Sequence, residues 1–430
     1  MEKALRITLI AAILRFLIAP FFGHIWDIKT LQETVYYALR GENVYVLVYT
    51  FSVKIRESTG QLLFYEGYAY PPHIMLVLLP FYAFYLVLGG DPQPIRVEDS
   101  IAGVGLFYEH QVYLTKDVFL FMTLIKTPMI VADSLIVYLL GKRNLRIAMI
   151  YALSPYVILI TGVWGMFDSL IALSLLISIM LLENGRYTLS GLTYGFSLMK
   201  LYPLLTLPVF ILNLRRRGLG ALSSFMLGFI ISQIPTLAYL ILDPPSFIYT
   251  VLLFHLLRHP SGLTPLRILG IAENETLVSI VSASHTMVSI IIYVIILTYI
   301  LKNNIDIRRS VILTLLYFLA FSKIVHDQFY IALYPLLLQL RSREARIIEV
   351  LFTSYTLINT GIFLTAPTLL FIIDYKVLQL KTSIIYSDIG YITINVIGSL
   401  LNSLISILTF TIIMKTILNV AKTEEPKTTI

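Results

Sequence analysis

The sequence predicts an all-α, polytopic membrane protein with about 10–13 transmembrane helices and an external loop carrying interfacial helices after the first span. Three observations predict this class. Of 430 residues, 57% are apolar and 13% are charged, and the mean hydropathy of +0.83 exceeds that of soluble proteins. Apolar runs of spanning length recur along almost the whole chain. The basic residues behind the net charge of +7 form short clusters between these runs, so the predicted partner is the lipid bilayer and no nucleic acid.

The first apolar run covers residues 4–22, close to the ~20 residues that a spanning helix needs. Lys3 and Arg6 flank its start, and no small-residue cleavage site follows, which indicates a retained span with a cytoplasmic N-terminus. Residues 23–70 then mix charged side chains with Tyr, Val and Leu. This segment is too polar to span and too apolar for free solution. We therefore expect an external loop with one or two helices in the membrane interface.

The remaining spans can be assigned by length and hydropathy. Full-length candidates lie at 71–90, 118–140, 147–162, 168–183, 189–212, 219–242, 277–301, 347–373 and 390–417, and half-length segments at 310–322 and 329–340. Residues 243–276 are predicted to form an external re-entrant or loop segment, and residues 421–430 a polar cytoplasmic tail. A single transmembrane domain then covers residues 1–420.

The basic clusters test this topology, because Lys and Arg concentrate in cytoplasmic loops. They lie at 142–146, 215–217, 302–309 and 341–346 and in the tail after Lys415. In the C-terminal half, each pair of spans between two basic clusters leaves the cytoplasmic side and returns to it. Both termini are predicted to be cytoplasmic. Three candidate spans lie between Arg146 and Arg215, and an odd number cannot return the chain to the same side of the membrane. The number of crossings becomes even if 189–212 is two half-helices that meet near Lys200. For 1–141, either 71–90 or 118–140 is not a simple span, or the cluster at 142–146 breaks the rule.

In this topology the polar residues fall at the external ends of the spans. They are Asp27, Asp168, Lys200, the segment 243–267 and the segment 322–328. Their common level predicts a single site on the external face.

A purely structural interpretation also exists for Asp27, Asp168 and Lys200. Asp27 can equally be an interfacial carboxylate or a helix cap, and Asp168 a cap at the start of an apolar run. Lys200, inside an apolar stretch, indicates function by default, although a snorkelling side chain is the alternative.

Two polar segments suggest binding of an anion. His255 and Arg258 lie on one helix face at i, i+3, which suits a phosphate, or alternatively lipid headgroups. Lys323, His326 and Asp327 lie between two half-length spans, where such residues are costly unless they line a cavity. One His and one Asp in sequence do not make a metal-ligand set, and the absence of cysteine excludes thiolate ligands.

An ordered series of short motifs runs through residues 1–340. It comprises Asp27 after the first span, Tyr70-Pro-Pro72, Lys126-Thr-Pro-Met-Ile-Val-Ala-Asp133, Ser154-Pro155, Trp164-Gly-Met-Phe-Asp168, Lys200-Leu-Tyr-Pro203 and Lys323-Ile-Val-His326-Asp327. This series resembles the integral-membrane glycosyltransferases of the GT-C superfamily, in particular the mannosyltransferase branch that includes GPI mannosyltransferase I and its archaeal and bacterial relatives.

The resemblance implies an enzyme that transfers a hexose, mannose first, from a polyprenyl-phosphate donor to a lipid or glycan acceptor, with inversion. Asp27 is then the general base, and we expect a low-dielectric interface to raise its pKa. The phosphate ligands are expected to be Arg258, His255 and Lys323, followed by Lys200. Asp168, His326 and Asp327 would hold sugar hydroxyls or orient the base. Some relatives carry Asp-x-Asp where this chain has Asp27-Ile-Lys29, so no cofactor is predicted and a divalent metal is not favoured.

Two other functional classes remain open at this stage. A transporter or flippase for a lipid-linked sugar or another anionic substrate also uses broken helices, although the two halves of the sequence show no convincing repeat. A non-catalytic subunit of a glycosylation complex is the third, and it predicts that Asp27 is dispensable. The predicted location is the cell membrane with the site facing outside, or the ER lumen if the chain is eukaryotic.

Overall fold

The computed structural model of the chain describes residues 2–59, 67–100, 109–115, 117–257, 260–266, 275–340, 342–358, 397 and 399–422. The helices, in chain order, are α1 (Glu2–Ile18), α2 (Ile25–Leu39), α3 (Val44–Thr59), α4 (His73–Val87), α5 (Val118–Arg143), α6 (Leu145–Ala152), α7 (Pro155–Val157), α8 (Asp168–Glu183), α9 (Tyr187–Phe196), α10 (Leu207–Arg217), α11 (Leu219–Ser232), α12 (Ile234–Leu242), α13 (Pro244–Ile248), α14 (Phe254–Leu257), α15 (Glu275–Lys302), α16 (Ile307–Phe321), α17 (Tyr330–Gln339), α18 (Arg343–Thr356) and α19 (Ser399–Lys422). Short 3-10 turns cover Ala19–Phe21, Ser197–Met199 and Tyr202–Thr206, and π-helical turns cover Ile158–Trp164 and Tyr249–Leu253.

The described part of the chain is helical apart from two small sheets. Strands β1 (Ile95–Ser100) and β2 (Glu109–Leu114) pair antiparallel, with Ile95 opposite Leu114. Strands β3 (Ser261–Gly262) and β4 (Ile324–Val325) pair in parallel. The second sheet joins the segment after α14 to the segment between α16 and α17.

The apolar helices confirm a polytopic membrane protein of the all-α class. Four are long and apolar enough to cross a membrane, namely Glu2–Phe21, Val118–Arg143, Ala283–Lys302 and Leu400–Ala421. Two bent pairs can each make one further span, Leu145–Ala152 with Pro155–Trp164 and Leu219–Ser232 with Ile234–Leu242. Several other predicted spans are shorter helices in the structure. The predicted spans 347–373 and 390–417, and the predicted tail 421–430, lie partly outside the described residues.

Helices α5 and α17 form the centre of the bundle. Helix α17 is buried from Tyr330 to Leu338, and α5 presents buried side chains along its length. By contrast, the spans of α15 and α19 are mostly exposed, as expected for helices that face lipid. Between α1 and α5, Arg15 Nε donates to Asp133 Oδ2 at 3.0 Å, and both side chains are fully buried. This ion pair fixes the first span against the centre of the bundle.

The basic clusters lie together at one end of the bundle, called the basic end below. Glu183, at the end of α8, bonds the Arg308 guanidinium through both of its oxygens and lies 3.9 Å from Arg143. Arg308 Nη1 also donates to Gln339 Oε1 at 2.6 Å. Near the C-terminus, Lys415 is 3.8 Å from Glu344. Clusters that are far apart in sequence therefore occupy one side, as the positive-inside pattern predicts.

Two helical hairpins start and finish at this basic end. Hairpin A comprises α9 and α10 and returns to the basic end, where Arg217 Nη1 donates to the carbonyl of Leu182 at 2.7 Å. Hairpin B comprises α16 and α17, whose ends are joined by the contact between Arg308 and Gln339. The tip of hairpin A carries Lys200. The predicted pair of half-helices at 189–212 is thus present.

The sequence predicts three spans before residue 142, an odd number that would not return the chain to its starting side. Helix α4 explains the discrepancy. It has 15 residues with Pro80 inside, a length of about 22 Å, which is shorter than the ~30 Å hydrocarbon core. Tyr70, just before it, lies beside Lys200 at the hairpin tip. Asp91, just after it, donates its backbone N–H to Asp117, the residue that precedes α5. Both ends of α4 are therefore on the side opposite the basic end, and 71–90 is not a simple span.

The segment between the first span and α4 contains two helices, α2 and α3, within the predicted loop 23–70. The predicted loop 243–276 begins with α13, a π-helical turn and α14, followed by β3. Residues 258–259 and 267–274 of that loop lie outside the described residues.

Candidate active site

The first part of the site is a carboxylate at the start of α2. Asp27 lies in the first helical turn, where the helix dipole favours negative charge. Its Oδ2 accepts a hydrogen bond from Trp164 Nε1 at 2.7 Å and lies 2.7 Å from His24 Nδ1. The His24 and Trp164 rings are stacked, with centroids 4.5 Å apart. His24 is the N-cap residue of α2, so the interpretation of Asp27 as the cap is wrong.

The position of Trp164 depends on a glycine and a buried lysine. A π-helical turn ends at Gly165, whose φ is 91°, and a Cβ at Gly165 would lie 2.8 Å from both Ile28 Cδ1 and Lys126 Cε. Only glycine fits both constraints. Lys126 Nζ lies within hydrogen-bond distance of four backbone carbonyls, which share its three N–H groups: those of Ala19, Phe22, Gly162 and Val163. This ammonium therefore ties the end of the first span to the turn that carries Trp164.

The pKa of Asp27 differs from the expectation. Burial raises it, but the charge of His24 and hydrogen bonds from His24 and Trp164 outweigh burial and lower the pKa to about 2, with a further contribution from Lys200. The prediction that the interface raises the pKa of Asp27 is therefore wrong. Donors on neighbouring side chains stabilise the carboxylate more than desolvation destabilises it.

The second part of the site is a buried ion pair. Lys200 Nζ lies 2.5 Å from Asp168 Oδ2, and Tyr202 Oη donates to Asp168 Oδ1 at 3.2 Å. The Lys200 ammonium also faces the rings of Phe167 at 4.7 Å and Phe329 at 5.1 Å. Lys200 is only 4% exposed, so it does not snorkel to the interface. Asp168 makes no capping hydrogen bond, and its carboxylate neutralises Lys200 instead.

The third part is a cavity of about 560 Å³ beside this ion pair. Hairpin A, hairpin B, α15 and the segments at Tyr70 and His255 all contribute to its wall. Its polar lining includes Lys200, His255, His285, Thr286, Ser289, Ser322, Lys323, His326 and Gln328. The other lining residues are apolar or aromatic, among them Leu201, Leu205, Leu252, Ile290, Phe318 and Phe321. Of the described residues, no Asp or Glu lines it, so the cavity combines basic groups with a long apolar surface.

The residues predicted for the site therefore fall into three groups. Lys200, His255, Lys323 and His326 line the cavity. Asp27 and Asp168 both interact electrostatically with Lys200 but do not themselves line the cavity. Asp327 is buried behind it, and its backbone carbonyl accepts a hydrogen bond from Tyr156 at 2.6 Å. Arg258 lies outside the described residues.

Two basic residues on the cavity wall, His255 and Lys323, contact backbone carbonyls. His255 Nε2 is 2.9 Å from the carbonyl of Ala69, and Lys323 Nζ donates to the carbonyl of Leu256. Partial burial lowers the pKa of Lys323. The parallel pairing of β3 with β4 aligns these two segments, so the sheet positions Lys323 near His255.

Sequence reasoning missed several residues of the site. From the sequence no role is assigned to His24, although its spacing of i, i+3 from Asp27 allows the two side chains to meet. His285 was hidden in an apolar run, where an intramembrane histidine is itself a signal of function. Lys126 and Trp164 occurred in the motif series without an assigned role.

Within the described residues, no group of three or more His, Asp or Glu side chains could hold a metal ion. A scan against protein-family models finds no match, and no curated protein matches the sequence.

Proposed function

We propose that this protein is a membrane glycosyltransferase that moves a hexose, most simply mannose, from a polyprenyl-phosphate donor to a lipid or glycan acceptor with inversion. The observation that carries the proposal is the cavity, which combines basic and neutral hydrogen-bonding groups with a mostly apolar wall. A lipid phosphate sugar has the same three chemical parts: an anion, a set of hydroxyls and a hydrocarbon chain. No soluble phosphorylated substrate needs the apolar part.

The donor can be placed part by part. Its phosphate is expected near Lys323, His255 and His326, together with Arg258 from the same sequence segment. Its prenyl chain is expected along Leu205, Ile290 and Phe318. The sugar is then expected toward Lys200, which lines the cavity and whose charge Asp168 neutralises.

The reaction also needs a group that takes the proton of the acceptor hydroxyl. Asp27 is within the electrostatic influence of Lys200, which lines the cavity, and His24 contacts the Asp27 carboxylate. With the basic end in the cytoplasm, the positive-inside rule places the site at the external face of the cell membrane. Counting both helices of each hairpin, the whole chain then has about 10–13 membrane-inserted helices.

The transporter alternative is less well supported. Transporters with inverted repeats place broken helices around a midplane site, with the two repeats oriented oppositely. Hairpins A and B both begin and end at the basic end. Their common direction does not match an inverted repeat.

The test is an activity screen of the purified protein with polyprenyl-phosphate hexoses and total-lipid acceptors. We expect product with at least one donor, and loss of product in Asp27→Asn at unchanged expression. The matched control is Glu33→Gln, because Glu33 is on the same helix but pairs with Lys29 at 3.4 Å at a partly exposed position. A folded protein that transfers no hexose contradicts the proposal, whereas an active Asp27→Asn variant with near-normal turnover removes only Asp27 from the reaction.

A further inference from the structure

Two contacts of one ring nitrogen, Nδ1, show that it carries a hydrogen. His24 Nδ1 is 2.7 Å from Asp27 Oδ2 and 3.4 Å from the backbone N of Asp27. A ring nitrogen can donate to the carboxylate or accept from the amide, but it cannot do both. At 2.7 Å two lone pairs would repel, whereas 3.4 Å is a long hydrogen bond, so the hydrogen is on Nδ1. In the neutral ring the free lone pair is then on Nε2, on the opposite side of the imidazole.

The ring is held in this orientation by Trp164. The two rings are stacked with an angle of 19° between their planes, and the backbone N of His24 donates to the carbonyl of Trp164 at 3.1 Å. Trp164 Nε1 binds the same carboxylate oxygen that His24 contacts. Carboxylate, imidazole and indole therefore form one unit. The His24 side chain is 12% exposed, which leaves an edge of the ring accessible.

We propose that His24 Nε2, oriented by Asp27, accepts the proton of the acceptor hydroxyl. This inference rests on the proposed glycosyl transfer. Asp27 Oδ2 already accepts hydrogen bonds from Trp164 Nε1 and His24 Nδ1, which makes the carboxylate a weaker base, whereas the Nε2 lone pair of a neutral imidazole is a good proton acceptor. Asp27 is then a positioning residue that stabilises the imidazolium, and Trp164 fixes the pair.

The step balances without a metal or a redox partner. The hydroxyl oxygen of the acceptor forms a bond to the anomeric carbon, and the bond from that carbon to the phosphate oxygen breaks. The bonding pair leaves with the phosphate, which becomes a phosphate monoester of the lipid. The hydroxyl proton moves to His24 Nε2 and is later released to water.

A pair of substitutions separates this role from a structural one. The side-chain amide of Asn places a donor where His has Nδ1 and is a good N-cap, but it has no base at the Nε2 position. His24→Asn should therefore keep Asp27 in place and still lose about 10²- to 10⁴-fold in kcat, as His24→Ala does, with little change in KM for the donor. Added imidazole should restore His24→Ala at least severalfold and leave the wild type unaffected.

The outcomes are distinct. Near-normal kcat in His24→Asn, or rescue of Asp27→Ala by formate without rescue of His24→Ala by imidazole, assigns the base to Asp27 and overturns our assignment. If the variants do not fold, ¹⁵N NMR of His24 in the wild type decides, because protonation of Nε2 instead of Nδ1 in the neutral ring overturns it too. A wild type that transfers no hexose overturns the proposed function and this assignment together. An active wild type with unaffected His24 variants overturns only this assignment.

Discussion

Removal of the Lys200 ammonium tests the buried ion pair most directly. In Lys200→Met the Asp168 carboxylate keeps one hydrogen bond, from Tyr202 at 3.2 Å, and stays fully buried. At the observed 2.5 Å the two charges attract by about 7 kcal/mol with an effective dielectric constant of ~20. Desolvation of both groups offsets much of this attraction. Because an unpaired buried charge remains, we expect a loss of about 3–5 kcal/mol in the free energy of unfolding.

The double variant Asp168→Asn/Lys200→Met supplies the comparison. It leaves no unpaired charge, and the Asn amide can still accept from Tyr202, so it should be more stable than Lys200→Met alone. The assay is unfolding of all four proteins in mixed micelles, read as a double-mutant cycle. If Lys200→Met is as stable as the wild type, or if the two single effects add, the charges are not coupled as described. Even with its stability restored, the double variant should bind the donor more weakly than the wild type, because it lacks Lys200, which lines the cavity.

Three further predictions concern the Asp27 unit and the cavity. The pKa of Asp27 is lowered from 3.8 to about 2, so its stabilisation of about 2 kcal/mol is complete above pH ~4 and is lost as the pH falls through ~2. The stability difference between wild type and Asp27→Asn should shrink over that range, and a difference independent of pH would contradict the assignment. Gly165→Ala should lower both the stability to thermal unfolding and the rate of hexose transfer by more than Gly41→Ala does. Both glycines have positive φ, but of the two only Gly165 lacks space for a Cβ. Equal losses of stability in the two variants would indicate that backbone strain alone is responsible. Lys323→Ala should weaken binding of a polyprenyl phosphate about 10-fold or more. Lys302→Ala is the control, because Lys302 does not line the cavity, and it should leave binding unchanged. Unchanged binding in both variants would show that Lys323 is not part of the phosphate site.

Some of the candidate site was predictable because charge is costly in a membrane. Lys200 and Lys323 are conspicuous in an apolar sequence, and each lines the cavity in the structure. The position of Lys200 at the tip of a helical hairpin was predicted because an odd number of candidate spans lies between two basic clusters that should be on the same side. These are one-dimensional signals, since each depends only on local hydropathy and on the order of clusters along the chain.

The electrostatics of Asp27 was not predictable in the same way. Its pKa depends on Trp164, which is 137 positions away in sequence, and on Lys200. Local sequence indicates only that an acid near an interface is desolvated, which gives the wrong direction. The sign of the shift is decided by donors that the tertiary structure brings to Oδ2.

The sequence by itself determined the membrane class, the common side of the basic clusters and the presence of polar groups at the opposite end. Hydropathy and the distribution of Lys and Arg are sufficient for this, because the bilayer acts on each segment separately. Only the tertiary structure decided that α4 does not cross, that Asp168 neutralises Lys200, and that His24 and Trp164 share the Asp27 carboxylate. The physical reason is that hydrogen bonds and ion pairs act over about 3 Å, so they depend on which distant segments pack together and not on composition.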